Sequence, residues 1–232
     1  MLQTVQNWLK RFNAEGQPSR RRLEPDERQA LLAELQGERP AARWQAATAL
    51  AQFDPGYEAV AALAALLNNP DPLLRSEAAL SLGRIGTETA LQALLKAAVS
   101  NNPVMQAAAA DGFGVMPTSE DTVEALLSLL LNRDADVRQS AAEALGRMTP
   151  PTAAQSSLVI PSVQPTLLKL LGSDQSLMVR RGAALALGKW GDAASQAVLA
   201  AQQANPREDW RVREAAAAAL RRMTGGAEDA SA

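Results

Sequence analysis

Apolar residues in this chain recur at i, i+3 or i+4 and i+7, as in Val137, Ala141, Ala144, Leu145 and Met148, so that one helix face is apolar and the other polar. The phrase carrying that stripe returns six times: ARWQAATALA (42 to 51), LRSEAALSLG (74 to 83), MQAAAADGFG (105 to 114), VRQSAAEALG (137 to 146), VRRGAALALG (179 to 188) and VREAAAAALR (212 to 221). Its second residue is Arg43, Arg75, Gln106, Arg138, Arg180 and Arg213, at steps of 32, 31, 32, 42 and 33 residues. Such a period accommodates two helices and two turns. Between successive phrases lies a second apolar stretch, such as YEAVAALAALLN (57 to 68) or SEDTVEALLSLLL (119 to 131), closed by Asn, Pro or Asp. Each repeat is therefore predicted to be a helix A followed by the phrase-bearing helix B. Thr118 and Asp121 stand at capping-box spacing, and Pro72, Pro103 and Pro206 where the first turn of a helix tolerates a missing N–H.

Six such pairs predict an all-α, right-handed α-solenoid over residues 23–224, each pair touching only its neighbours. Gly83, Gly114, Gly146 and Gly188 share one position of helix B. Glycine there costs about 1 kcal/mol relative to alanine, so its repetition implies close backbone packing. The end copies carry Ala51 and Arg221 in that slot. The 42-residue step adds an insert, TPPTAAQSSLVI (149–160), either a functional loop or a surface insertion. Ahead of the array, Leu2, Val5, Leu9 and Phe12 recur at helical spacing, so residues 1–22 are expected to be a short amphipathic helix with a basic linker, capping the core rather than docking on a membrane or partner. The small, polar residues 225–232, GGAEDASA, are expected to be a disordered tail.

Composition narrows the chemistry. The chain has 232 residues, 47% of them hydrophobic but only 3% aromatic, and about a fifth are alanine, which implies a core of small side chains. With no histidine and no cysteine there is no disulfide, thiol nucleophile, imidazole base or Cys/His metal site. The 23 basic and 25 acidic residues leave a net charge of −2, so no overall field draws the chain to nucleic acid, although residues 1–22 carry +4. The longest apolar run, Ala59 to Leu67, has nine residues, about half of what a transmembrane segment needs. The first dozen residues lack the apolar core and cleavage pattern of a secretory signal, and a cytoplasmic location is expected.

The motif D-x-x-V-R-x-x-A-A-x-A-L-G, present at Asp134 to Gly146, resembles the HEAT-like repeat of the phycobilisome (PBS) lyases and their relatives. The resemblance spans about residues 24 to 224 and implies an armadillo-like helical stack in which helix B lines the concave side. It fixes no activity, because the same repeat serves lyases, iron hydroxylases and plain scaffolds. The hydroxylases hold metal through His–Glu pairs, which this chain cannot supply, and the related DNA glycosylases need a cationic, aromatic-lined groove.

Two sets of residues follow from the register. The first is a structural ladder: Asp71 and Arg75, Asp134 and Arg138, and Asp209 and Arg213 are four apart, with Asn102 and Gln106 replacing the ion pair by an amide pair and Arg180 in the same row. A turn carboxylate is expected to meet the guanidinium of its own or the neighbouring repeat. The second is a partner-binding set on non-core positions of helix B. One residue after the ladder position stand Trp44, Ser76, Ala107, Gln139, Arg181 and Glu214; five after, Thr48, Leu80, Asp111, Glu143, Leu185 and Ala218; nine after, Gln52, Arg84, Val115, Arg147, Lys189 and Arg222. Trp44, Leu80 and Leu185 are apolar where solvent is expected, and Arg84, Arg147 and Lys189 form a basic stripe, with Glu143 and Arg181 beside it. The stripe reads either as contacts for an acidic partner or as cations offsetting helix dipoles. Trp190 is assigned to the core, and Trp210 fits either role. No catalytic residue and no cofactor is expected. The function read here is a non-enzymatic interaction scaffold or assembly factor that binds a protein on its concave face, possible pairing with a second solenoid included. The alternative is a bilin lyase subunit with a linear tetrapyrrole as substrate, whose propionates the stripe would hold.

Overall fold

The computed structural model describes residues 23–53, 56–150 and 162–228. Among them the chain forms twelve α-helices and no strand: α1 (Pro25–Gln36), α2 (Pro40–Leu50), α3 (Gly56–Ala65), α4 (Pro72–Ile85), α5 (Glu88–Ala98), α6 (Pro103–Phe113), α7 (Glu120–Leu130), α8 (Ala135–Arg147), α9 (Val163–Ser173), α10 (Leu177–Trp190), α11 (Ala193–Ala204) and α12 (Trp210–Glu228). A 3₁₀ turn, Leu66–Asn68, extends α3. The odd-numbered helices are the A helices and the even-numbered ones the B helices of six pairs, so the fold is the α-solenoid that the repeat predicts.

Local chemistry sets the helix starts. Pro25, Pro40, Pro72 and Pro103 open their helices, where proline loses nothing by lacking an N–H. Asp71, Thr87, Asn102, Asp134, Ser176 and Asp192 are N-caps whose side chains accept first-turn N–H groups. For α7 the capping box is Ser119 with Thr122, one residue beyond the expected Thr118 and Asp121. Thr118 instead donates to the Thr149 carbonyl at 2.8 Å, tying one repeat to the next.

The two layers bury different side chains. The A helices contribute leucines, among them Leu63, Leu94, Leu126, Leu130, Leu167, Leu171 and Leu199, all fully buried. The B helices contribute alanines: Ala46 and Ala47, Ala78 and Ala79, Ala108 to Ala110, Ala141 and Ala142, Ala183 and Ala184, and Ala215 and Ala216 are buried in successive repeats. Small side chains let neighbouring B helices approach closely along the stack, whereas successive A helices barely touch. The layer with the shorter spacing lies on the inside of the curve, so the B helices form the concave face.

The glycine row follows from that spacing. A Cβ at Gly83 would overlap the Gly112 carbonyl oxygen and Val115 Cγ2 of the next repeat. At Gly114 it would stand 2.9 Å from Ala144 Cα, and at Gly188 2.9 Å from Ala219 Cα. Gly146 departs from the pattern, for its nearest neighbour would be Ala186 at 3.7 Å, an ordinary contact. This is the junction where Trp190 fills the slot of Ile85 and Met148, its buried indole N–H donating to the Leu145 carbonyl at 2.8 Å.

Two expectations need correction or restriction. Helix α12 continues through Gly225 to Glu228, past Thr224, where a disordered tail was expected to begin. The N-terminal segment 1–22 and residues 151–160 of the insert lie outside the described residues.

Replacing Gly83 by alanine is expected to destabilise the protein by about 1–3 kcal/mol through overpacking. Gly146→Ala should be neutral or stabilise by up to about 1 kcal/mol, because only helix propensity changes. Denaturant midpoints of the two variants would separate close packing from a mere preference for glycine at this position.

Candidate interaction surface

Four of the ladder side chains, all but Arg213, share one geometry. Each reaches back to the turn that closes its own A helix: Arg75 Nη1 donates to the Asn69 carbonyl at 2.6 Å, Gln106 Nε2 to Ser100 at 2.7 Å, Arg138 Nη1 to Asn132 at 2.9 Å and Arg180 Nη1 to Asp174 at 2.8 Å. These bonds satisfy carbonyls that a helix C-terminus leaves without partners. Arg138 and Arg180 also reach forward into the next repeat. Arg138 meets Asp174 through Nε and Nη2 at 2.7 and 2.9 Å, and Arg180 meets Glu208 in the same way at 3.1 and 2.8 Å. Both are two-point guanidinium–carboxylate bonds. In the third repeat Gln106 Oε1 accepts from Asn132 Nδ2 at 2.9 Å, again across a junction.

The expected partners within the repeat are therefore corrected. Asp71, Asp134 and Asp209 do not bind Arg75, Arg138 and Arg213. Each caps the helix that follows, Asp71 Oδ1 accepting from Leu73 N at 2.9 Å, Asp134 Oδ1 from Asp136 N at 2.8 Å and Asp209 Oδ1 from Arg211 N at 2.9 Å. Asn102 likewise accepts from Val104 N at 2.9 Å and donates to Asn68 at 2.7 Å rather than pairing with Gln106. Capping binds the carboxylate over its own helix terminus, which leaves the arginine to an acid elsewhere. The sequence signal for Asp174 and Glu208 was their place in the turn closing helix A, six and five residues before Arg180 and Arg213.

Burial alone would push the Asp174 carboxyl up. Hydrogen bonds from Arg138 and the Ser176 N–H, with the fields of Arg138 and Arg180, outweigh it and hold the group below its usual value. The Arg180 hydrogen bond, first of all, holds Glu208 low against its burial.

On the concave face the expected basic stripe is already engaged. Arg84 Nη1 meets Glu77 at 2.9 Å, Arg147 Nη2 meets Asp111 of the preceding B helix at 2.9 Å, and Arg181 lies 4.0 Å from Glu143. Lys189 donates to the carbonyls of Arg147 at 2.9 Å and Met148 at 3.1 Å, closing the C-terminus of α8. Its pKa is pushed down by burial and then by Arg222. Glu77, which sequence reasoning passed over, is buried and takes hydrogen bonds from Thr48 and Ser81 as well as Arg84. Burial raises the Asp111 carboxyl, against the opposing effect of Arg147. Of the expected apolar anchors, Trp44 is 46% exposed, while Leu80 and Leu185 are half-buried, Leu185 packed against the core.

Among the described residues no cluster of acidic side chains could hold a metal ion, and no helix is long and apolar enough to cross a membrane. The repeated helix pairs, with their tightly packed inner layer and cross-repeat ladder, define a helical-repeat protein of the HEAT type. The HEAT-repeat family model matches residues 28–114, 94–156 and 157–221, and the chain belongs to that family. Among solved structures, an engineered protein is 22% identical over 86% of this chain and 99% of its own, with a TM-score of 0.52. The complex of CpcE and CpcF of phycocyanin lyase from Nostoc sp. PCC7120 is 24% identical over 70% of this chain and 99% of that chain, with a TM-score of 0.52. A designed armadillo repeat protein in complex with the peptide (KR)4 is 19% identical over 84% and 98%, with a TM-score of 0.51. At these identities the likeness is one of fold. No protein of curated function matches the sequence significantly.

Breaking a rung by Arg138→Gln or Arg180→Gln is expected to cost about 2–3 kcal/mol at neutral pH, since a two-point bond to a carboxylate is lost. Because Asp174 and Glu208 titrate below their usual range, their contribution is complete above the ordinary carboxylate value of about 4 and fades as pH falls through the lowered values. Thermal unfolding should therefore show the gap between parent and Asp174→Asn closing on acidification below pH ~4. A gap of constant size would remove the ion pair as its cause.

Proposed function

We propose that the protein is a non-enzymatic interaction scaffold or assembly factor that receives a protein partner along its concave face. The observation that carries this reading is the character of that face: an extended layer of B helices whose Arg84, Arg147 and Arg181 are matched by Glu77, Asp111 and Glu143, with Trp44 standing exposed among them. Neutralised pairs leave little long-range attraction for a strongly acidic ligand, so recognition would rest on shape, apolar contact at Trp44 and hydrogen bonds to already-ordered polar groups. A curved stack of repeats suits such a role because it offers a long surface on a rigid inner layer.

The bilin lyase alternative requires cations to hold two propionates. Arg84, Arg147 and Lys189 would have to release Glu77, Asp111 and two helix-terminal carbonyls to do so. Its support is the shared fold of the CpcE and CpcF complex, which does not carry an activity. Titration with a linear tetrapyrrole is expected to give no shift in visible absorbance; a saturable shift lost in Arg147→Ala would establish the alternative.

The scaffold reading is tested by a photo-reactive residue at Trp44 or Gln139 on the concave side and at Lys96 on the convex side, in the native host. Adducts with one discrete protein are expected from the first two positions and not the third. Trp44→Ala should then weaken affinity for that protein by about tenfold without moving the melting temperature. Equal labelling from Lys96 would place the partner on the other face.

A further inference from the structure

The ladder does not stop where the repeats stop. Arg213 occupies the same row as Arg138 and Arg180, and in both of those the guanidinium holds its own turn carbonyl and, forward, a carboxylate of the next repeat. Arg213 has neither contact, and its Nε is buried without a hydrogen-bond partner. A guanidinium N–H in that state is rare, since burial removes water without supplying a replacement acceptor. Beside it, three residues back on the same face of α12, Trp210 is 58% exposed. The earlier copies carry Pro40, Pro72, Pro103, Ala135 and Leu177 at that position; the prolines start their helices, and Trp210 is the one aromatic in the row. The Arg211 guanidinium lies over the ring at 5.5 Å from its centre, so the indole is held in place.

We propose that this C-terminal end is a second docking surface, on which a partner protein presents an acidic turn that places an aspartate or glutamate against Arg213 with Trp210 packed at its side. Asp174 and Glu208 show the chemistry and direction of approach, because each meets its arginine from a turn stacked one repeat further on. A second copy cannot continue the stack. Arg221 stands in the glycine slot, where internal junctions bring the next helix within 3 Å of a Cβ, as at Gly188 with Ala219 at 2.9 Å. Trp and Arg are also among the side chains enriched at interface hot spots.

Two measurements test this. In the isolated protein, Arg213→Gln should leave the melting temperature unchanged while Arg180→Gln lowers it by several degrees; an equal loss would make Arg213 a structural residue and overturn the proposal. In the native host, benzoylphenylalanine at Trp210 should form an adduct whose mapped site lies in a turn beside an Asp or Glu. Arg213→Gln should reduce its yield about tenfold, Arg181→Gln should not, and Arg213→Glu should be rescued by an arginine at the mapped acid. No adduct, a site without a neighbouring acid, or a yield indifferent to Arg213 would each overturn it. Position 210 lies four residues before Glu214, in line with the concave row, so Arg213 tells the two readings apart: an adduct that survives Arg213→Gln belongs to the concave face and overturns this proposal, while loss of the Trp44 effect alone leaves it standing.

Discussion

The close approach of neighbouring B helices is the constraint on which the rest of this structure depends. It needs alanine on both flanks of each helix and glycine where backbone meets backbone, which is why a core of this size is built with so little aromatic volume. Dispersion between closely spaced backbones takes the place of large interlocking side chains. It also fixes the register of one repeat on the next, since Gly83 admits only the Gly112 carbonyl and Val115 opposite it.

Polar interactions then secure what that packing sets. Arg138 and Arg180 each join three points: their own helix, the turn before it and the turn after. On the inner surface Arg147 and Lys189 reach back to the preceding B helix. The junction of α8 with α10 is held at both edges of the inner layer, by Arg138 reaching forward to Asp174 and Lys189 reaching back to the Arg147 carbonyl. That division of labour explains why the concave charges are engaged before any partner arrives.

Much of the architecture was legible in the sequence because it repeats. Six copies in phase specify helix pairs, and the alternation of leucine-rich with alanine-rich stretches specifies which layer lies inside. The pairings were less legible, because they join residues such as Asp111 and Arg147, or Arg138 and Asp174, that lie a repeat apart, whereas spacing rules see only neighbours on one helix. Asp134 and Arg138 sit at the four-residue spacing that suits an ion pair, yet capping claims the acid first. Burial was likewise beyond reach for Glu77, whose hydrogen-bond donors come from two B helices. The helical course of Gly225 ran against propensity, and no packing neighbour explains it.

The unequal spacing of the two layers gives the molecule the mechanics of a curved strip. The inner layer, packed backbone to backbone, resists stretching and compression and acts as the line of constant length. The outer layer, whose leucine-bearing helices hardly meet their neighbours, leaves room to fan apart or close together at little cost. Bending therefore changes the radius of the arc while preserving every inner contact, and the width of the cleft becomes the soft coordinate of an otherwise stiff body.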